Sequence, residues 1–304
     1  MPEIIAFGEV LIDLIGEKGK GIKNSSFFQK CFGGAPANYA IACARLGAKV
    51  SLLTKISKDN FGEFLIETLK KEKVDVSYVK RTSKKTTLAF VALDEKGKPD
   101  FIFYRDNTAE TDIRKNDIKE DLFKKAKIFH FCSLSLTVNP VRSSLFYALE
   151  LAKKYKLIVS FDPNLRPALM KKDTLFWVKK ALKYTDLFLP SEEELFLITQ
   201  KRNLDEAVKS LRIEKIIVTR GEKGAILYEK NKKVSFKGFK VKVLDTTGAG
   251  DAFSAGISVG ILKKYKGKKL LKFANAVAAI SVQKIGAISS LPTLKEVEKF
   301  LEKN

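Results

Sequence analysis

Short apolar runs rich in Ile, Val and Leu alternate along the chain with segments whose apolar residues recur at helical spacing. In one such segment, Phe61, Phe64, Leu65 and Leu69 share a helical face. A helix followed by a near-continuous apolar strand, several times over, predicts an α/β fold with a mostly parallel central sheet covered by helices on both faces. The strand-like runs are residues 3–10, 50–56, 156–162, 185–190 and 214–221.

Two segments, about 10–33 and 86–106, interrupt this alternation. In the second, two strand-like runs flank the Gly/Pro-containing EKGKPD, which predicts a hairpin. Because such strands do not fit a βαβ layer, we expect them to form a small separate β-sheet, a lid over a site. The chain shows no repeat, low-complexity tract or linker, so residues 1–304 are predicted to be one domain. The exposed lid edge predicts a homodimer.

Composition restricts the class of protein. Hydrophobic residues at 45% and charged residues at 30% are typical of a globular chain, and no run of about 18 apolar residues predicts a membrane span. The N-terminal residues lack a signal-peptide pattern, and three cysteines without a C-x-x-C pair suggest reduced thiols. We therefore expect a cytoplasmic protein. A single histidine, His130, excludes sites built from several histidines and is expected in the core.

The net charge of +22 raises nucleic acid as an alternative partner. That hypothesis predicts tight duplex binding that weakens steeply with added salt. The basic residues are mostly lysines spread along the whole chain, without a concentrated basic arm or a set of arginines that could read bases. The pattern therefore favours a solvated lysine-rich surface and no specific nucleic-acid site.

The stretch DTTGAGDAFSAGIS, residues 245–258, combines a glycine-rich turn, an acid and a small-apolar helix, and we expect a strand before it. The backbone N–H groups of Gly248, Ala249, Gly250 and Asp251 at a helix N-terminus would bind a phosphoryl group. The Asp251 carboxylate would act as general base toward an acceptor hydroxyl, with a low pKa because of the helix N-terminus. Phosphoryl transfer tolerates a weak base, since the hydroxyl loses its proton late.

This stretch resembles the second signature of the ribokinase family, the PfkB-type carbohydrate kinases. The segment Gly33 to Gly62 resembles the first signature, with Ser57 where the family usually has glycine. The resemblance covers nearly the whole chain. It implies a ribokinase-like fold and an ATP-dependent transfer of the γ-phosphoryl group to a sugar hydroxyl, with Mg²⁺ and K⁺ as cofactors.

Candidate sugar ligands come partly from the residues and partly from the resemblance. Asp13 is an acid in an otherwise apolar strand, where a buried charge is costly unless it has a partner, so its presence indicates a specific role. The glycine pair would let the backbone lie against a sugar. The resemblance assigns hydroxyl binding to Asp13, Gly34 and Asn38, and places further residues near the sugar or its phosphate. The complete set is Asp13, Gly33, Gly34, Asn38, Arg105, Asn164 and Arg166.

Nucleotide and ion ligands are implied by the resemblance alone, except that Ser191 and Glu194 also form a capping-box pattern. The family has asparagine in place of Ser191. The nucleotide set is Ser191, Glu194, Thr219, Gly221, Gly224 and Asn275. The monovalent-cation set, partly through backbone carbonyls, is Asp245, Thr247, Ser281, Lys284, Gly286 and Ser290.

The sugar itself stays open between two alternatives. Three segments, GGAPAN, residues 86–110 and FDPNLRPAL, look most like bacterial-type fructokinases, which predicts a ketose and D-fructose first. The alternative is 2-keto-3-deoxygluconate, because a guanidinium of Arg105 or Arg166 could hold a sugar-acid carboxylate bidentately. Pro36 counts against the alternative, since those enzymes more often have a polar residue there.

Overall fold

The computed structural model describes residues 1–93, 99–230 and 232–304. The turn predicted at EKGKPD falls mostly outside them. The strands of the described residues are β1 (Ile4–Phe7), β2 (Leu11–Gly16), β3 (Phe28–Gly33), β4 (Val50–Leu53), β5 (Lys55–Ser57), β6 (Lys80–Thr82), β7 (Leu88–Leu93), β8 (Pro99–Tyr104), β9 (Ile128–Cys132), β10 (Ile158–Asp162), β11 (Leu187–Phe188), β12 (Lys215–Thr219), β13 (Ala225–Glu229) and β14 (Lys232–Phe236).

The helices follow the strands in the expected alternation, and of those in the described residues none is long and apolar enough to cross a membrane. They are α1 (Gly21–Asn24), α2 (Ala35–Arg45), α3 (Asn60–Lys71), α4 (Val141–Lys154), α5 (Thr174–Leu182), α6 (Glu192–Thr199), α7 (Leu204–Lys209), α8 (Ala249–Leu262), α9 (Gly267–Ser281) and α10 (Leu294–Lys303). Short 3₁₀ turns lie at Glu110–Asp112, Lys115–Asp117, Glu120–Leu122, Ser133–Leu136, Pro167–Leu169 and Gly221–Lys223.

The central sheet has the strand order β14-β13-β12-β11-β10-β9-β1-β4. Its strands pair in parallel from β12 to β4, and β13 and β14 add an antiparallel edge. The prediction of a mostly parallel sheet is confirmed. The antiparallel edge is an addition that the alternation of runs did not predict.

Both faces of the central sheet are covered, as predicted. In β1, Ile5 and Phe7 pack into one buried cluster with residues of α4, α5, α6 and α7. Ile4 and Ala6 pack into a second cluster with residues of α2, α8, α9 and α10. Alternate side chains of one strand therefore serve opposite layers, which is why its sequence is continuously apolar.

The two interrupting segments form a separate sheet, which confirms the expectation. Its strand order is β3-β2-β7-β8, with β2 parallel to β7 and antiparallel pairing elsewhere. We call this four-stranded sheet the lid. The strands β5 and β6 form a third, two-stranded sheet.

Helix α8 is held tightly against α9. A Cβ at Gly256 would lie 2.8 Å from the Cα of Ala274, so the two helices approach at a distance that only glycine permits there. The strand expected before the glycine-rich turn is wrong, because residues 241–244 form no ladder. The N–H groups of Leu244 and Asp245 instead donate to the carbonyl of Val282, at the end of α9.

Candidate active site

Polar side chains gather where the central strands end. Glu9 follows β1, Asp162 is the last residue of β10, Ser191 follows β11 and Thr219 ends β12. In open α/β sheets, ligands bind outside the carboxyl ends of the parallel strands. The central sheet therefore places a row of polar groups beside the lid, whose strand β2 begins directly after Glu9 and Val10.

Asp251 lies in the first turn of α8 and is held by two amides. The Asn38 Nδ2 donates to its Oδ2 at 2.9 Å, and the Asn164 Nδ2 donates to its Oδ1 at 3.2 Å. Asn38 comes from α2, which has Pro36 in its first turn, while Asn164 follows β10 with a left-handed φ of 41°. Three predicted residues from distant parts of the chain thus meet at one carboxylate.

The pKa expected for Asp251 is wrong in direction. Burial raises the pKa of Asp251 to about 6, although the amides of Asn38 and Asn164 and the charge of Arg166 lower it. Its side chain is enclosed by α2 and the loop after β10, so the loss of water outweighs the helix N-terminus. A carboxyl with this pKa is a better proton acceptor than the weak base expected from the sequence.

The turn before Asp251 leaves free space around Gly250. Gly248 caps α8 with a left-handed φ of 76°, and a Cβ at Gly250 would meet no atom within 4 Å. The Ala249 N–H already donates to the carbonyl of Thr246 at 3.2 Å, so it contributes to the shape of the turn. The N–H groups at Gly250 and Asp251 are those of an uncapped helix start.

Asp13 lies in β2 of the lid, close to the glycine pair. A Cβ at Gly33 would overlap the Asp13 carboxylate, and one at Gly34 would lie 2.6 Å from the Glu9 carbonyl oxygen. Gly34 also has a φ of 108°. Burial raises the pKa of Asp13 to about 6, with Arg166 lowering it and Asp251 raising it further. These glycines therefore make room for Asp13 and for the chain entering the lid.

Arg105 is occupied by the protein. Its Nε and Nη2 donate to the two carboxylate oxygens of Glu110 at 2.8 and 3.1 Å. Its Nη1 donates to the Thr137 Oγ1 at 2.8 Å, and Nη2 also donates to the Leu134 carbonyl at 3.1 Å. The pair is buried, with Arg105 8% and Glu110 2% exposed. Arg166, by contrast, is exposed.

Three buried acids of this region, Glu9, Asp162 and Glu110, were not among the predicted ligands. The Ser254 Oγ donates to the Asp162 Oδ2 at 2.8 Å, and burial together with Glu194 and Asp251 raises the pKa of Asp162. Glu9 and Asp162 could have been predicted from the sequence, because each is an acid at the carboxyl end of an apolar strand. Glu110 lies in a loop, where no such pattern exists.

Glu194 connects two loops at the strand ends. Ser191 and Glu194 form the expected capping box, with the Ser191 N–H donating to Glu194 Oε2 at 2.9 Å. The other carboxylate oxygen accepts from the Leu165 N–H at 2.7 Å. Ser191 also lies beside Thr219 in an isolated parallel bridge. The structure thus brings Ser191, Glu194 and Thr219 together near the carboxyl ends of β11 and β12.

The remaining predicted nucleotide residues lie around β12–β14 and α9. Gly221 and Gly224 have φ values of 55° and 83°, which favour glycine. Asn275 is buried in α9, which packs against β13 and β14, and its Nδ2 donates to the Leu271 carbonyl at 2.8 Å.

Asp245 joins the two segments predicted to bind a monovalent cation. Its Oδ1 accepts from the Thr247 N–H and Oγ1 at 2.9 and 2.7 Å, and its Oδ2 accepts from the Gly286 N–H at 2.8 Å. The hydroxyls of Ser281 and Ser290 donate to the carbonyls of Ala278 and Ala287. Lys284 extends toward Glu296 at 3.5 Å. In the described residues, no group of three or more His, Cys, Asp or Glu is arranged around a metal position.

His130 is a core residue, as expected. It is 1% exposed, stacks on Tyr39 with ring centroids 3.7 Å apart, and shares a hydrogen bond of 3.0 Å with Ser160. Burial lowers the pKa of His130 to about 3, so the ring is neutral.

The mostly parallel central sheet and the separate lid agree with the ribokinase-like fold that the sequence resemblance implies. The family profile of pfkB family carbohydrate kinases matches residues 1–294. The chain therefore belongs to this family and is an ATP-dependent carbohydrate kinase.

Individual relatives agree with the family assignment. The chain is 37% identical to a probable fructokinase-5 from Arabidopsis thaliana, over 99% of this chain and 98% of the relative. Fructokinase with bound ATP from Xylella fastidiosa superposes with a TM-score of 0.91 at 31% identity, covering 100% and 99% of the two chains. A double mutant of fructokinase from Vibrio cholerae, in a fructose, ADP and potassium ion bound form, gives 0.88 at 31%, covering 99% and 98%.

Proposed function

We propose that the protein phosphorylates D-fructose with ATP, using Asp251 as the general base. The observation that carries this proposal is the pairing of Asp251 with Asn38, whose second amide atom, Oδ1, is buried without a hydrogen-bond partner among the described residues. Glu9 Oε2 is a second such atom. Buried acceptors without partners are costly, and the hydroxyls of a sugar would supply the missing donors.

The reaction follows from these positions. A sugar hydroxyl beside Asp251 gives its proton to the carboxylate as its oxygen attacks the γ-phosphorus, and ADP leaves. The N–H groups of Gly250 and Asp251 would face the transferring phosphoryl group, and the helix N-terminus favours its negative charge. The lid would exclude water, which would otherwise accept the phosphoryl group in place of the sugar.

The proposed ions fit the donors that the chain offers. Asp162 and Glu194 are neighbouring carboxylates, the ligand type that Mg²⁺ prefers, and Mg²⁺ would neutralise charge on the ATP phosphates. Asp245 would hold K⁺ together with carbonyls of the segment around Gly286, to which it is already bonded. The Vibrio cholerae structure, with its potassium ion, supports this choice.

The choice of fructose is tested by measuring ADP formation from Mg-ATP in the presence of K⁺, with D-fructose and 2-keto-3-deoxygluconate compared in parallel. We expect a far higher kcat/KM for fructose. The site is lined by Glu9, Asp13 and Asp251, its Arg105 is neutralised by Glu110, and the charge of Arg166 is offset by Asp13 and Asp251. A higher kcat/KM for the sugar acid would overturn the choice of fructose as the substrate, while the role of Asp251 as the base would remain.

The lid supports a homodimer. Its segments expose large apolar side chains at Phe27, Phe101, Ile102 and Tyr104, with 67%, 44%, 44% and 62% of each accessible. Such an apolar surface is typical of protein contacts. Sedimentation equilibrium should give a dimer mass for the native chain and a monomer mass for Tyr104→Lys. We also expect a cytoplasmic location, in keeping with free cysteines.

The pH dependence of the reaction should report the raised pKa of Asp251. Because Asp251 accepts a proton only as the carboxylate, kcat/KM for the sugar should fall as the pH decreases through about 6, approaching tenfold per pH unit. The measurement is the initial rate of ADP formation at saturating Mg-ATP, across a pH range that brackets this value on both sides. A profile that stays flat well below the pKa of Asp251 would contradict the assignment.

A further inference from the structure

We infer that Glu110 determines the charge class of the sugar, by holding the Arg105 guanidinium in an internal ion pair and so denying it to a substrate carboxylate. The inference rests on the proposed function, since it concerns the sugar that the same site accepts. Its starting point is that a guanidinium is the side chain best suited to bind a carboxylate bidentately, and that here this geometry is already satisfied within the chain.

The contacts of Arg105 leave little capacity for a ligand. Both carboxylate oxygens of Glu110 face it, at 2.8 and 3.1 Å, and Thr137 and Leu134 accept from two of its other three N–H groups. Glu110 is held in turn, because its Oε1 accepts from the Thr87 Oγ1 at 3.0 Å. The acid is thus fixed from two sides and cannot turn away without leaving buried donors unpaired.

The pair lies between the lid and the strand ends. Arg105 directly follows β8 of the lid, whereas Leu134 and Thr137 belong to the segment after β9. The charges of Glu110, Arg105 and Asp251 all act on the Glu9 carboxyl. Burial and the charge of Glu110 raise the pKa of Glu9 to about 7. The Glu9 carboxyl is therefore close enough to the ion pair and to the general base to respond to the charges of both.

The consequence for a substrate is an asymmetry of charge. A neutral sugar meets a charge-balanced pair, and its hydroxyls can donate hydrogen bonds to Glu9 or Asp13. A sugar acid would bring a further carboxylate beside Glu9, Asp13 and Asp251. The charge of Arg166 already acts on Asp13 and Asp251, and a bidentate contact with Arg105 would require displacement of Glu110. Loss of the Glu110 charge leaves a buried guanidinium unpaired, and that cation would favour an incoming carboxylate.

The test is the variant Glu110→Gln, which keeps the side-chain shape and removes the charge. The ratio of kcat/KM for fructose to that for 2-keto-3-deoxygluconate should shift toward the acid by about tenfold or more. The conservative variant Glu110→Asp should restore most of the preference for fructose. Asp112→Asn is the matched control, since it also removes a buried acid from the same 3₁₀ turn, paired with Lys55, and should leave the ratio unchanged.

The outcomes separate this inference from the proposed function. An unchanged ratio in a folded Glu110→Gln, or an equal shift in Asp112→Asn, would overturn the role of Glu110 while fructose remains the substrate. A native chain that does not phosphorylate fructose would contradict the proposed function. Calorimetric binding of the two sugars to the native chain and to Glu110→Gln then still tests Glu110, because it needs no turnover.

A second variant covers the case in which Glu110→Gln does not fold. Replacing both partners, as in Arg105→Met with Glu110→Met, removes the buried charges together and avoids an unpaired ion. This double variant should show no gain in affinity for 2-keto-3-deoxygluconate, because the cation has gone. A gain as large as that expected for Glu110→Gln would show that Arg105 plays no part.

Discussion

Asp251→Asn should lower kcat by about two to four orders of magnitude while the protein stays folded. The amide cannot accept the proton of the attacking hydroxyl, whereas the anion-binding turn and the sugar ligands remain. The measurement is the rate of ADP formation at saturating fructose and Mg-ATP. Binding of ATP, followed by calorimetry, should change little, and turnover close to that of the native chain would rule out Asp251 as the base.

The same substitution has a second, independent signature in stability. Because the pKa of Asp251 is raised from 3.8 to about 6 in the folded chain, the free energy of unfolding decreases as pH rises through this window. Removing the charge should therefore increase the free energy of unfolding at neutral pH, by up to about 3 kcal/mol. Part of this gain is lost because the single carbonyl oxygen of the introduced amide replaces two carboxylate oxygens, which accept separately from Asn38 and Asn164.

Urea unfolding at two pH values checks that signature. Well above the folded-state pKa of Asp251, Asp251→Asn should be the more stable protein. Near the unfolded-state value of 3.8 the two should be about equal, since the carboxyl is then protonated when folded. Asp186→Asn, at a partly exposed acid on the opposite end of the sheet from this site, provides the control. A variant that is less stable at every pH would show that its loss of activity reports misfolding.

The sequence predicted those features of the fold that depend on local pattern. Continuous apolar runs such as the one at β10 indicated buried parallel strands, and the hairpin at β7–β8 indicated a separate sheet. The antiparallel edge of β13 and β14 was missed because only the glycine loop before β13 was considered in this part of the sequence, and the strands that follow it were not. The strand expected at residues 241–244 does not form. An apolar run does not show whether a neighbouring strand with free hydrogen-bonding groups is available to pair with it.

The candidate site shows the same division between local and distant causes. The glycine-rich turn could be read directly, but the pKa of Asp251 depends on Asn38, 213 residues away in the chain, and on the burial that α2 imposes. Glu110 escaped notice because its importance comes from the fold, which turns it back onto Arg105. Sequence patterns thus indicated which groups meet, and the structure adds the loss of water and the internal pairings that set their charges.

Gly34→Ala should be among the most damaging single changes in this chain. The new Cβ would lie 2.6 Å from the Glu9 carbonyl oxygen and 3.0 Å from the Val10 Cα, both backbone atoms that cannot turn aside. The residue would also have to keep a φ of 108°. Strain and overlap together should reduce the free energy of unfolding by about 3 kcal/mol or more.

The expected loss extends to function, because Gly34 caps α2, whose residue Asn38 holds Asp251. A shift of the helix start would move the amide, so KM for the sugar should rise more than KM for ATP. Gly47→Ala is the matched control: its φ of 89° is also left-handed, but a Cβ there meets no atom within 4 Å. It should cost only about 1–2 kcal/mol and leave both KM values unchanged. Equal losses of stability in the two variants would show that the close approach at Glu9 does not constrain this position.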